Sequence, residues 1–149
     1  MSAWTNVRGK LVEVVEKATL TYRVGPYARA SLRHTPAGSI SPEQLDARSF
    51  WLTTLGMRSP AHASLQVGMT RAEMLLSVVY PETSDPSVRD TAIGEDYDVI
   101  RKQLLDEATW GGVGIRTITF GEEDALPMSV DNRGSHIVAE YAFTVEYHQ

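Results

Sequence analysis

The side chains that could support catalysis or bind a metal are scattered along this sequence. The four histidines are His34, His62, His136 and His148. No two of them have the helical spacing of a His-Glu-x-x-His zinc motif. The chain has no cysteine, which excludes disulfides, thiolate catalysis and cysteine-ligated metals. The acidic clusters at residues 96–98 and 122–124 lack the layout of a calcium loop and are predicted to be solvated surface.

Two further patterns suggest ligand binding, but each has a simpler interpretation. The glycines at 111, 112 and 114 follow a predicted helix and precede a predicted strand, which is the reverse of a dinucleotide-binding turn, so they predict a helix end. Tyrosines at 22 and 27 lie among arginines at 23, 29, 33 and 58, and Arg/aromatic spacing of this kind can stack on single-stranded nucleic acid. Because most of the remaining chain is acidic, protein contacts are the favoured interpretation. We therefore expect no catalytic residue, no metal and no cofactor.

Length and charge describe one domain with two unlike halves. The chain has 149 residues, 42% of them hydrophobic and 22% charged, which suits a single globular domain over 1–149. Its net charge is -5, which argues against a protein that coats DNA. Residues 1–75 carry +4, whereas residues 76–149 carry −9. Such a chain could bind copies of itself head to tail, although two solvated surfaces explain the same asymmetry.

No segment has the pattern of a membrane span or a secretory leader. The richest apolar stretch covers only residues 74–80, whereas a spanning helix needs about 20. The first residues, Met1 to Trp4, lack a basic segment followed by an apolar one.

Hydrophobic periodicity predicts two helices and several strands. The helices are predicted at about 5–18 and 88–106, and the strands at about 20–24, 50–55, 71–80, 113–120 and 136–147. The strand at 71–80 is apolar on both faces, so it should lie inside its sheet. Because the strands are grouped and do not alternate with helices, the predicted fold class is α+β. Its sheet should be mixed or mainly antiparallel, with both helices packed on it.

This layout resembles the tail terminator proteins of long-tailed bacteriophages. The likeness covers about residues 5–147 and includes an N-terminal amphipathic helix and an irregular, arginine-bearing stretch. Its local features are Arg48-Ser49-Phe50-Trp51-Leu52 at a strand entry, the strand Leu75 to Tyr80 running into Pro81, the helix from Asp98 to Leu105, and the strand Val138 to Tyr147.

The resemblance implies a structural virion protein and not an enzyme. Such proteins form a ring, usually a hexamer, that stops growth of the tail tube and joins it to the neck or head-completion proteins. The implied partners are other copies of the chain, the tail tube protein and a neck protein, while genomic DNA passes through without specific binding. The implied location is the virion tail or neck, and the host cytoplasm during assembly.

Contact residues for such a ring are predicted from charge and exposure. The basic candidates lie in connections expected to be exposed: Arg29, Arg33 and Arg58. The acidic candidates are Glu122, Glu123 and Asp124. Exposed ion pairs contribute only about 0–1 kcal/mol each, so apolar burial must stabilise the ring. The apolar candidates are Trp51, Tyr141 and Tyr147.

Two alternatives remain open at this stage. The chain could be another head–tail connector, neck or minor tail protein, since these share its size, charge and fold class. It could also be a small α+β enzyme or ligand-binding domain with a pocket between helix 88–106 and the sheet. The buried polar groups of that pocket would be Tyr97, Tyr141 or Glu140.

Overall fold

The computed structural model describes residues 2–35, 44–58, 68–83, 85–121, 128–132 and 136–148. Within these ranges the chain forms two α-helices and a six-stranded mixed sheet, so the predicted α+β fold class is confirmed. The helices are α1 (Ala3–Glu16) and α2 (Pro86–Leu105). The strands are β1 (Arg33–His34), β2 (Ser49–Arg58), β3 (Met69–Pro81), β4 (Ile115–Phe120), β5 (Met128–Asn132) and β6 (His136–His148).

The sheet is built around the pairing of β3 with β6. Its strand order is β1-β2-β3-β6-β4, and β5 also pairs with β6. The β3–β6 pair is antiparallel and continuous from Met69↔His148 to Pro81↔His136. On the other side of β6, β4 pairs with residues 143–147 and β5 with residues 137–141. Only the two-residue β1 runs parallel to its neighbour, so the sheet is mainly antiparallel, as predicted.

The two helices pack against one face of this sheet. Because side chains alternate along a strand, the core takes alternate residues of β3 and β6. These are Ala72, Met74, Leu76, Val78 and Tyr80 on β3, and Ile137, Ala139, Tyr141, Phe143, Val145 and Tyr147 on β6. The opposite face, here called the second face, carries the other set, including Trp51, Ser77 and Glu140 in adjacent register positions.

Each helix begins at a side-chain cap of the expected kind. The Ser2 hydroxyl accepts the Thr5 backbone N–H at 3.1 Å, and the Asp85 carboxylate accepts that of Ser87 at 3.0 Å. These bonds satisfy backbone donors that have no partner inside the helix. Pro86 follows the second cap, where its fixed φ suits the first helical turn. Helix α2 begins at Pro86, close to its predicted start at about 88.

The predicted strand at 20–24 is wrong. Residues 18–24 form neither helix nor strand, and the Leu20 backbone N–H instead donates to the carbonyl of Ala30 at 2.7 Å. Leu20 is buried in the core, whereas Val24 is exposed. The alternating pattern therefore reflects a loop in which Leu20 and, in part, Tyr22 pack against the core.

An ion pair between Arg48 and Asp96 is buried where α2 meets the sheet. Both side chains are fully buried. The Arg48 Nε donates to Asp96 Oδ2 at 2.9 Å and its Nη2 to Oδ1 at 3.1 Å, while the Tyr80 hydroxyl donates to Oδ2 at 2.6 Å. Burial raises the pKa of the Asp96 carboxyl, and the Tyr80 and Arg48 donors act to lower it. The prediction that residues 96–98 form solvated surface is therefore wrong for Asp96.

The same guanidinium also holds the irregular segment before β1. Arg48 Nη1 donates to the carbonyls of Tyr27 and Arg29 at 2.7 and 2.8 Å, and Nη2 donates to that of Tyr22. With the two bonds to the carboxylate, all five N–H donors of the guanidinium have acceptors. Arg48 also has a φ of 63°, a left-handed conformation that is costly for a residue with a side chain. The bonds hold the residue in that conformation.

We expect Arg48→Met to destabilise the chain by about 3–5 kcal/mol, because it leaves the Asp96 carboxylate buried without its cation. Urea unfolding followed by circular dichroism measures the loss. The double variant Arg48→Met/Asp96→Leu should recover part of it, since no buried charge then remains. Arg33→Ala is the matched control, because it breaks an exposed ion pair worth at most about 1 kcal/mol. A loss at Arg48 no larger than this control would contradict the assignment.

Candidate assembly surfaces

Arg29 and Arg33 lie together at the β1 edge of the sheet and share one carboxylate. Their guanidinium nitrogens are 3.4 and 3.0 Å from Asp46 Oδ2. An open depression of about 340 Å³ adjoins them and includes His34 and Ser49 in its lining. Burial lowers the pKa of the His34 imidazole, which favours its neutral form. Both arginines are accessible to a partner, with part of their charge already neutralised.

Arg58 lies elsewhere than predicted. It was expected in a connection, but it is the last residue of β2, and its Nη2 is 3.0 Å from Glu73 Oε1 on β3. Register places Arg33 opposite Ser49, at the other end of β2. At about 3.3 Å per residue, the length of the strand separates Arg58 from the other two arginines. The three basic candidates therefore do not form one patch.

The structure corrects two of the three apolar contact predictions. Tyr141 and Tyr147 are buried in the core of the chain itself, with 0% and 1% of their surface exposed. The ring of Tyr141 contacts Tyr97 at 5.2 Å between centroids, and that of Tyr147 contacts Trp4 at 5.6 Å. Both side chains are buried within the folded chain, so neither offers a surface to another subunit. Trp51 is half-buried on the second face and keeps part of its ring accessible.

The acidic candidates Glu122, Glu123 and Asp124 lie outside the described residues. In sequence they follow Gly121 at the end of β4 and precede β5. Their predicted contact role stays a prediction.

Of the three residues suggested for a ligand pocket, Tyr97 and Tyr141 are in ring contact, but Glu140 lies on the other face of the sheet. Tyr141 faces α2, whereas Glu140, its neighbour in the strand, lies on the second face opposite Ser77. The space between α2 and the sheet is filled by the Arg48–Asp96 pair and core side chains. Burial raises the pKa of the Tyr141 hydroxyl, which keeps it protonated. Over the described ranges, no three His, Asp or Glu side chains are placed to hold a metal ion.

The two ends of the sheet are open edges of different kinds. On the side of β2 away from β3, the only described strand is β1, which pairs with Ser49 and Phe50. The rest of β2 carries two well-exposed apolar side chains, Leu55 at 58% and Met57 at 45%. At the other end, no described strand pairs with the far side of β4. A depression of about 220 Å³ on the second face spans the sheet between these edges, from Leu55 to Gly121.

Over the residues that the structure describes, the chain is an α+β fold whose sheet has two unlike open edges. No protein-family model matches the chain, and no curated protein matches it. Among the described helices, none is both long enough and apolar enough to cross a membrane.

We expect Tyr141→Ala to destabilise the folded chain by about 3–5 kcal/mol, the usual cost of truncating a buried aromatic side chain. Trp51→Ala should cost less than that, because its ring is half-buried. Urea midpoints of the two variants, compared with the parent chain, measure the difference. Equal losses of stability in the two variants would contradict the assignment of Tyr141 to the core and of Trp51 to the accessible surface.

Proposed function

We propose that this chain is the tail terminator of a long-tailed bacteriophage, a structural protein that closes into a ring on the tail tube and joins it to the neck. One observation carries the proposal: among the described strands, the sheet ends in two open edges that differ in sequence and exposure. Two unlike edges suit a heterologous contact, in which each subunit binds its neighbour through a different surface. Such contacts form a closed ring when the rotation from each subunit to the next brings the last subunit back against the first.

Charge on the second face also supports passage of DNA without binding. Across β2, β3 and β6 that face carries Glu73, Glu140 and Glu146 against Arg58 and Arg71. Arg58 and Glu73 are paired and counter each other, so Glu140 and Glu146 remain against Arg71, a small excess of negative charge. Carboxylates repel phosphates, and a duplex therefore slides past such a wall. In the proposed ring the helices face outward, where there is more room, and the accessible part of the second face lines the bore; its Ser77, Val79 and Val138 end is buried within the chain.

The proposal predicts a ring that binds tail tubes. Size-exclusion chromatography with light scattering should show an oligomer, with a hexamer as the expected size. Electron microscopy of the protein mixed with purified tail tubes should show one ring at a tube end and no further tube growth. A ring protein can also close only on its partner, so a monomer alone is not decisive. A chain that stays monomeric and leaves tube ends bare would overturn the proposal, and binding to neck proteins alone would favour a neck component.

The acidic connection after β4 provides a second test. We expect reversal of Glu122, Glu123 and Asp124 to lysine to impair ring closure, because it removes the acidic partner of a basic surface on the next subunit. The matched control reverses three exposed acids on or beside α2: Glu95, Asp98 and Glu107. Both variants change the charge equally, so only position differs. Native circular dichroism with unchanged assembly in the first variant would remove that connection from the interface.

A further inference from the structure

The distal half of β2 is an open edge that carries apolar side chains. The Leu52 carbonyl on this edge accepts a bond from Arg8 Nη2 of α1 at 3.1 Å. Beyond Leu52, from Thr54 to Arg58, no described strand continues the sheet. Leu55 and Met57 are exposed in this stretch. An exposed apolar strand edge is a template for pairing with another chain, and natural proteins cover such edges or blunt them with charges and bulges. The register shift between Thr54 and Gly56 is a bulge of this kind, but it leaves Leu55 and Met57 exposed.

The opposite edge of the sheet has the matching length and direction. Strand β4 has six residues, and the open stretch of β2 has five, from Thr54 to Arg58. The strands β2, β3, β6 and β4 are each antiparallel to the next. Three antiparallel pairings connect β2 to β4, and each reverses the strand direction, so β2 and β4 run in opposite directions. A second copy in the same orientation therefore brings its β2 antiparallel to the β4 of the first.

We propose that β4 of one copy pairs with Thr54–Arg58 of β2 in the next copy, continuing the sheet from subunit to subunit. This inference rests on the proposed ring and specifies how its subunits join. The pairing satisfies open backbone groups of both edges and covers Leu55 and Met57. Each copy uses each edge once, so it has two neighbours and the contact is heterologous. A two-fold dimer would instead pair β2 with β2, or β4 with β4.

Cysteine cross-linking tests this pairing in a chain that has no cysteine of its own. Leu55→Cys and Thr119→Cys place single thiols on the two edges, at exposed positions of β2 and β4. The two proteins are mixed, one with an affinity tag, and treated with a short bismaleimide that tolerates a small register offset. We expect a cross-linked dimer that contains one copy of each variant. Neither variant alone should cross-link.

Two controls make the cross-link interpretable. Val24→Cys is an exposed apolar position outside the sheet, and its mixture with Leu55→Cys should give no product. The double variant Thr119→Cys/Thr144→Cys places thiols on two residues that pair directly within one chain. It should cross-link within that chain, which shows that the reagent works under these conditions. Dimers of Leu55→Cys alone, or equal products with Val24→Cys, would overturn the pairing.

The experiment is run both on the isolated oligomer and on protein bound to tail tubes. An oligomer that gives no Leu55–Thr119 product overturns the strand pairing and leaves the proposed ring function standing. A chain that is monomeric under both conditions overturns both. The two failures are therefore distinguishable.

A charge variant tests the same edge without a cross-linker. Leu55→Lys/Met57→Lys should abolish the oligomer, because it replaces the two apolar side chains that the pairing covers with charged ones. The control Val24→Lys/Leu105→Lys changes two exposed apolar residues elsewhere and should assemble as the parent chain does. Urea midpoints should match in both variants, since all four side chains are exposed. Normal assembly of the first variant would overturn the proposal.

Discussion

The fold depends on the buried residue Arg48, which connects three parts of the chain: helix α2, the loop before β1 and the start of β2. Arg48 neutralises Asp96 of α2, binds carbonyls of the loop before β1, and immediately precedes β2, the strand at the open edge. A buried ion pair of this kind adds little net stability compared with apolar packing. Its value is geometric, because a planar fork with five donors fixes direction as well as distance. The loop and α2 therefore occupy one position relative to β2.

Periodicity predicted the parts of the fold whose burial repeats along the chain. Strand β3 was recognised as interior because both of its faces are apolar, and the helices were located by their apolar stripes. The segment 20–24 alternates in the same way but has no partner strand. Its Tyr22 carbonyl is bound by Arg48, which lies 26 residues further along the chain. A local pattern carries no information about such a distant donor.

The site was predicted less completely than the fold, for two different reasons. Part of the signal was present: Asp96 lies four residues after Ala92 and four before Ile100, on the buried stripe of α2, where an acid requires a cation. Tyr141 likewise shares the alternation of Phe143, which faces the helices. Other information was absent from the sequence. Whether β2 and β4 are edges depends on strand order, and periodicity does not contain strand order.

The central position of β6 has a consequence for biosynthesis. This strand follows every other described strand in the sequence, yet it lies inside the sheet, with β3 on one side and both β4 and β5 on the other. A nascent chain that stops before His136 leaves β3 without its thirteen-residue partner and β4 without any described one. Truncated products therefore lack a finished core and cannot present both edges together. A copy truncated before His136 would therefore not join the proposed ring, because β2 and β4 would not be held in one sheet.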